Sequence, residues 1–171
     1  TATAVCLAVT VAPDLARAQF ICSQYGGGGG GATASASLSI ACGTAANAGN
    51  TAASSFGYQA NALGANSSAF GNLSLGRGDN ATALGTAAQA QSGNSTAVGA
   101  SAGAWQANGT ALGSGALSDG VNASAIGTAA QATATNSTAL GGSSFAQGIN
   151  STALGYTAQA TADNATAVGR G

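Results

Sequence analysis

Residues Asn136-Ser137-Thr138-Ala139-Leu140-Gly141 decide the fold, because the same six-residue pattern returns fourteen positions later as Asn150-Ser151-Thr152-Ala153-Leu154-Gly155. Followed outward, the pattern becomes a ruler. Glycine stands at positions 43, 57, 71, 85, 99, 113, 127, 141, 155 and 169, always fourteen apart. The residue before each glycine is apolar: Cys42, Phe56, Phe70, Leu84, Val98, Leu112, Ile126, Leu140, Leu154 and Val168. Ala precedes that residue in every copy except Ser55, and Thr or Ser comes one step earlier in every copy except Ile40. From Asn66 to Asn164 an Asn lies five residues before the glycine. A fixed period of this kind marks a repeat architecture.

Fourteen residues hold two short strands of about five residues each and two tight turns, given a rise of ~3.3 Å per residue. They do not hold a helical hairpin. Thr, Val, Ile and Phe favour strands, and the Gly and Asn columns mark bends or positive φ. The expected fold is all-β: a β-solenoid of about ten coils, each pairing in parallel with the next at ~4.8 Å. Period-two alternation places Ser/Ala on one side of the first strand and Thr/Leu on the other. The second strand is also small on one side, as in Ala88 and Ala90 or Ala130 and Ala132. Small residues facing each other imply two sheets pressed over a thin interior, with one large apolar residue per coil outside. A second assignment reverses the faces, placing the large column inside a monomeric β-helix. Under the first, the column Phe56, Phe70, Leu84, Val98, Leu112, Ile126, Leu140, Leu154 and Val168 requires a partner, and a homo-oligomer that brings it to a symmetry axis supplies one.

Composition narrows function by exclusion. The chain of 171 residues has three Arg, four Asp and three Cys, with no His, Lys, Glu or Met, so most general acids, general bases and metal ligands are missing. No catalytic, metal or cofactor site is expected. A net charge of -1 leaves no basic stripe for phosphates, which argues against nucleic acid as a partner. Mean hydropathy of +0.22 argues against disorder despite 28 Gly. In stacked coils a repeated charge meets itself every ~4.8 Å, so neutrality suits the architecture.

Residues 1–18 form an apolar run ending in Ala16-Arg17-Ala18, expected to be the remnant of a secretory signal peptide. Residues 19–35, with six consecutive glycines from Gly26 to Gly31, are expected to be a Gly-rich linker. The repeat roll occupies 36–171. Cys22 and Cys42 would then stand in a compartment that permits a disulfide, although their spacing does not say that they pair.

The copies Asn94-Ser95-Thr96-Ala97-Val98-Gly99 and Asn150 to Gly155, held every fourteen residues over about 36–171, resemble the head repeats of YadA-like trimeric autotransporter adhesins. The resemblance implies a left-handed parallel β-roll, a homotrimer, and display on the cell surface of a Gram-negative bacterium. It also implies a stalk and an outer-membrane anchor absent from this sequence, through which alone the protein would touch a membrane. The early coils depart from the pattern, with Leu38 and Ala52 in the Asn column and Cys42 in the aliphatic one. Leu73, Leu75 and Phe145 interrupt a mostly small second strand.

The function expected is that of a non-enzymatic adhesin head attaching to extracellular matrix proteins, host cell receptors or surfaces, and to itself. The alternative is a monomeric solenoid with a surface-layer or ice-binding role, since Thr forms one column from Thr82 to Thr166 broken by Ser124. Two features are candidate ligand contacts. Arg77-Gly78-Asp79 resembles the tripeptide read by integrins, although Gly and Asp are also ordinary turn residues and the solvated turn is the plainer reading. Trp105 falls at a corresponding turn, where an exposed ring would anchor a protein or glycan and a packed one would cover a neighbouring coil.

Overall fold

The computed structural model describes residues 20–22 and 30–171. The expected signal remnant at 1–18 and most of the glycine run therefore lie outside the described residues. Within them the chain is all-β, winding as a parallel β-solenoid of about ten coils of fourteen residues. One sheet contains eleven three-residue strands, from Phe20–Cys22 to Thr166–Val168, and the other contains ten two-residue strands, from Thr33–Ala34 to Gln159–Ala160. From Thr33–Ala34 onward every strand pairs with its equivalent fourteen residues away, as Thr96 with Thr110, Ala97 with Ala111 and Val98 with Leu112. Identical columns thus stack on themselves along the whole rod.

The strands are shorter than the five residues expected, and the turns explain the difference. Leu38, Ala45, Ala52, Gln59 and Asn66 have φ between 51° and 61°, and the series continues every seventh residue to Asn164 at 57°. Each coil is therefore two seven-residue halves, each with a left-handed residue that ends the ladder. Such a conformation costs an L-residue about 1–2 kcal/mol. A coil-to-coil hydrogen bond offsets it: Asn94 N–H donates to Asp79 O at 2.9 Å and Ser101 N–H to Thr86 O at 2.8 Å.

The registered glycines have a different cause. Gly113 has φ 136°, and a Cβ there would lie 2.5 Å from the carbonyl oxygen of Gly127 in the next coil. The same approach recurs from Gly43 through Gly155. A backbone passing this close to its copy has no room for any side chain.

The interior consists of small residues. Ala83, Ala97, Ala111, Ala125 and Ala139 from the first sheet face Ala88, Ala90, Ala102, Ala104 and Ala130 from the second, all fully buried. Ser substitutes for Ala in this interior where its hydroxyl finds a turn carbonyl: Ser67 donates to Gly64 O at 2.7 Å, Ser95 to Ser92 O at 2.6 Å and Ser137 to Ala134 O at 2.7 Å, whereas the buried Ser151 hydroxyl has no partner. Leu73, Leu75 and Phe145 do not enter this interior. Leu73 takes the left-handed turn position and is exposed, while Leu75 and Phe145 face outward, leaving Ser74, Gly76, Ser144 and Ala146 as the buried partners.

The Asn column forms a ladder along one edge. Asn66 Nδ2 donates to Asn80 Oδ1 at 3.3 Å, Asn80 to Asn94 at 3.2 Å and Asn108 to Asn122 at 2.9 Å, and the series ends at Asn164. Asn is suited twice over, since it tolerates positive φ and carries both a donor and an acceptor.

Two short strands precede residue 36. Thr33–Ala34 pairs with Asn47–Ala48, and Phe20–Cys22 pairs with Ile40–Cys42, placing Ile21 opposite Ala41. Both lie in the stretch read as a linker. Cys22 and Cys42 form a disulfide between adjacent strands, with Cα atoms 4.6 Å apart. The bond stands at the head of the outward apolar column.

Replacing Gly113 by Ala is expected to lower unfolding stability by more than about 2 kcal/mol, from the Cβ clash and the glycine-only backbone region, measured by chemical denaturation. Asn108→Ala, which removes two ladder bonds but leaves the backbone path open, should cost only about 1 kcal/mol. Asn108→Asp should cost more than Asn108→Ala, because a carboxylate sets two acceptors against each other at Asn122.

Candidate functional site

Among the described residues the interior is filled by buried Ala and Ser, so the surfaces open to a partner are the outer faces and the turns. On the outer face of the first sheet Thr and large apolar residues alternate with the buried Ala column. The large column faces outward: Leu84 is 48% exposed, Leu112 44%, Leu140 40% and Leu154 40%, with Phe70 and Val168 also exposed. Phe56, Val98 and Ile126 are half-buried by their neighbours in the column. Phe56 and Phe70 stack with ring centroids 4.8 Å apart and planes 7° from parallel. Beside them Thr82, Thr96, Thr110, Thr138 and Thr152 are half-buried, so the Thr row shares its face with bulky hydrocarbon.

Arg77-Gly78-Asp79 lies in the turn after the strand Leu75–Gly76. Arg77 and Asp79 are exposed and Gly78 is half-buried. The Asp79 carboxylate is engaged: its Oδ1 accepts from the backbone N–H of Ala65, one coil back, at 2.8 Å. Asp163, six coils further along in the same column, accepts from Ile149 N–H in the same way at 2.8 Å. Any Cβ at Gly78 would lie 2.1 Å from the Ser92 backbone. Gly78 and Asp79 are therefore fixed by coil-to-coil contacts that the solvated-turn reading did not include; the signal available was that Asp79 and Asp163 share a repeat position.

Trp105 is 42% exposed and follows the strand Gly103–Ala104 on the outer face of the second sheet. Its indole is folded back over Gly103. Tyr58 and Tyr156 are exposed, and Tyr156 lies against Gly142 while the Arg170 guanidinium sits 5.7 Å from its ring centroid. Among the described residues no group of His, Cys, Asp or Glu is arranged to hold a metal, and no helix is long and apolar enough to cross a membrane.

The model of the YadA head domain repeat (2 copies) matches residues 48–74, 77–102, 92–116, 118–144 and 146–171, more than half of the chain. Among solved structures, the chain is similar to the collagen-binding domain of the Yersinia adhesin YadA, with a TM-score of 0.56 and 31% identity. The match covers 78% of this chain and 66% of that one, so the chain spans less than two thirds of its relative's length. No curated protein matches the sequence. The fourteen-residue coil, its glycine contact and the matched repeats together place this chain in the family of YadA-like adhesin heads.

Proposed function

We propose that the chain is the adhesive head of a trimeric, non-enzymatic adhesin on the surface of a Gram-negative bacterium, exported by a signal peptide and anchored by segments outside this sequence. The observation that carries this reading is the outward column Leu84, Leu112, Leu140 and Leu154, 40–48% exposed in a chain whose interior is Ala and Ser. Burial of the exposed half of each large side chain returns about 1 kcal/mol, or on the order of 10 kcal/mol per chain over the nine positions from Phe56 to Val168. Three copies meeting along this face bury all nine positions in each chain, with the Thr row at the rim of the contact.

With the first sheet turned to the axis, the second sheet and the variable turns form the outer surface. Extracellular matrix protein is the favoured ligand class, supported by the likeness to the collagen-binding domain of YadA; host receptors and neighbouring heads are served by the same repetitive, neutral surface. Contacts that are weak singly gain from three-fold display. The Arg77-Gly78-Asp79 turn acts as scaffold, because the Asp79 carboxylate is bound to Ala65 N–H.

Sedimentation of the 171-residue chain at low concentration is expected to give a trimer; a folded monomer would overturn the reading and favour an isolated solenoid. Leu112→Asp combined with Leu140→Asp should dissociate the trimer, since two charges per chain would be forced into an apolar contact. Adhesion to immobilised collagen and to integrin-bearing cells should survive Asp79→Ala unchanged, and a loss confined to the cells would reinstate the triplet as a receptor contact.

A further inference from the structure

One column on the outer face of the second sheet is interrupted at a single coil. It runs Leu75, Gln89, Gly103, Leu117, Gln131 in register, so the side chain missing at Gly103 leaves a gap between Gln89 and Leu117. Trp105, two residues on and directed to the same face, partly fills that gap. Its Nε1 lies 2.7 Å from the point a Cβ on Gly103 would occupy. What remains is an open cavity of about 180 Å³, with Gly103 as floor, Trp105, Gln89 and Leu117 as walls, and Ser101 and Gly115 at the turn. Nothing adjoins Gly115 within 4 Å on the side a Cβ would take, so the cavity is open at that end.

We propose that this notch binds a single pyranose ring of a neutral glycan. The lining contains no charged residue, which disfavours sialylated, phosphorylated or sulfated ligands. The Asp119 side chain, one coil beyond Trp105, is outside the lining. Apolar surface comes from the indole and Leu117, suited to the C–H face of a sugar. Polar partners come from Ser101 and Gln89; Gln89 Oε1 already accepts from Gln91 Nε2 at 2.8 Å, which leaves the Gln89 amide protons for a sugar hydroxyl. The mixture of an aromatic wall with a few fixed polar groups is that of a small-molecule site, and its volume falls below the ~300–1,000 Å³ typical of drug-sized ligands. One ring fits and an oligosaccharide lies across the opening. The inference supplies a ligand class for the adhesive reading and rests on the second sheet facing away from the trimer axis.

Trp105 is the sole tryptophan, so its fluorescence reports the notch directly. Titration of the full chain with methyl glucoside, methyl galactoside and methyl mannoside should give a saturable change with at least one of them, in the millimolar range. Gly103→Gln restores the residue found at 89, 131 and 159, displaces the indole from its place over Gly103 and fills the notch; followed by ligand-observed saturation transfer, because the indole itself moves, it should abolish binding while leaving sedimentation unchanged. Trp105→Ala, followed by ligand-observed saturation transfer, should lose binding at least tenfold. The proposal is overturned by no saturable response to any hexoside, by an equal response in Gly103→Gln, or by a response only to a proline-rich peptide or to choline. Sedimentation of the same samples separates the two readings: a trimer blind to sugars overturns the notch alone, and a monomer that binds them overturns the trimer alone.

Discussion

Everything in this fold depends on how closely the backbone of one coil passes the backbone of the next at the registered glycines. A Cβ at Gly43, Gly57, Gly71 or any equivalent through Gly155 would come within 2.2–2.6 Å of the following glycine's carbonyl oxygen. That approach tolerates no side chain, so it also tolerates no slip. A coil one residue longer or shorter would present a substituted residue at the contact, and a one-residue slip would turn every interior Ala outward. The fixed period of fourteen is the sequence record of that contact.

Strands of three and two residues, ended every seventh residue by a left-handed turn, leave only a narrow interior between the two sheets, and the narrow interior dictates Ala and Ser. A core of this kind buries little hydrocarbon per residue. The backbone bonds between coils, the hydroxyl bonds of Ser67, Ser95 and Ser137, and the Asn ladder therefore carry much of the cohesion. Bulk is displaced to the outside, where Leu84 to Leu154 form one apolar column and Leu117, Phe145 and Trp105 are distributed over the opposite face. The surface, and not the core, is where this protein varies.

The period, the strand class, the inward Ala and Ser and the outward Leu column were legible in the sequence because each is a column property repeated ten times. The half-coil was not. Its second left-handed position is filled by Ala45, Gln59, Leu73, Ser101 and Thr157, residues that carry no turn signal, and is held there by bonds to the preceding coil. The Cys22–Cys42 pairing was likewise hidden, because the sequence separation of 20 between the two cysteines breaks the fourteen-residue count. The notch at Gly103 was missed for a simpler reason: a single glycine in a glycine-rich chain attracts no notice until its neighbours in the column are known. Trp105 was visible as a candidate, whereas the gap beneath it depends on stacking.

The Asn ladder gives the rod a direction. Backbone amides between coils point both ways, with Asn94 N–H donating to the coil before and Thr96 N–H to the coil after, so their dipoles largely cancel, as in sheets generally. The side-chain amides do not alternate. From Asn66 to Asn150 each donates toward the later coil, and bonds aligned in one sense polarise one another. One edge of a nearly uncharged protein thus carries an electrical polarity along its length, with an amide acceptor free at the earlier end and an amide donor free at the later one.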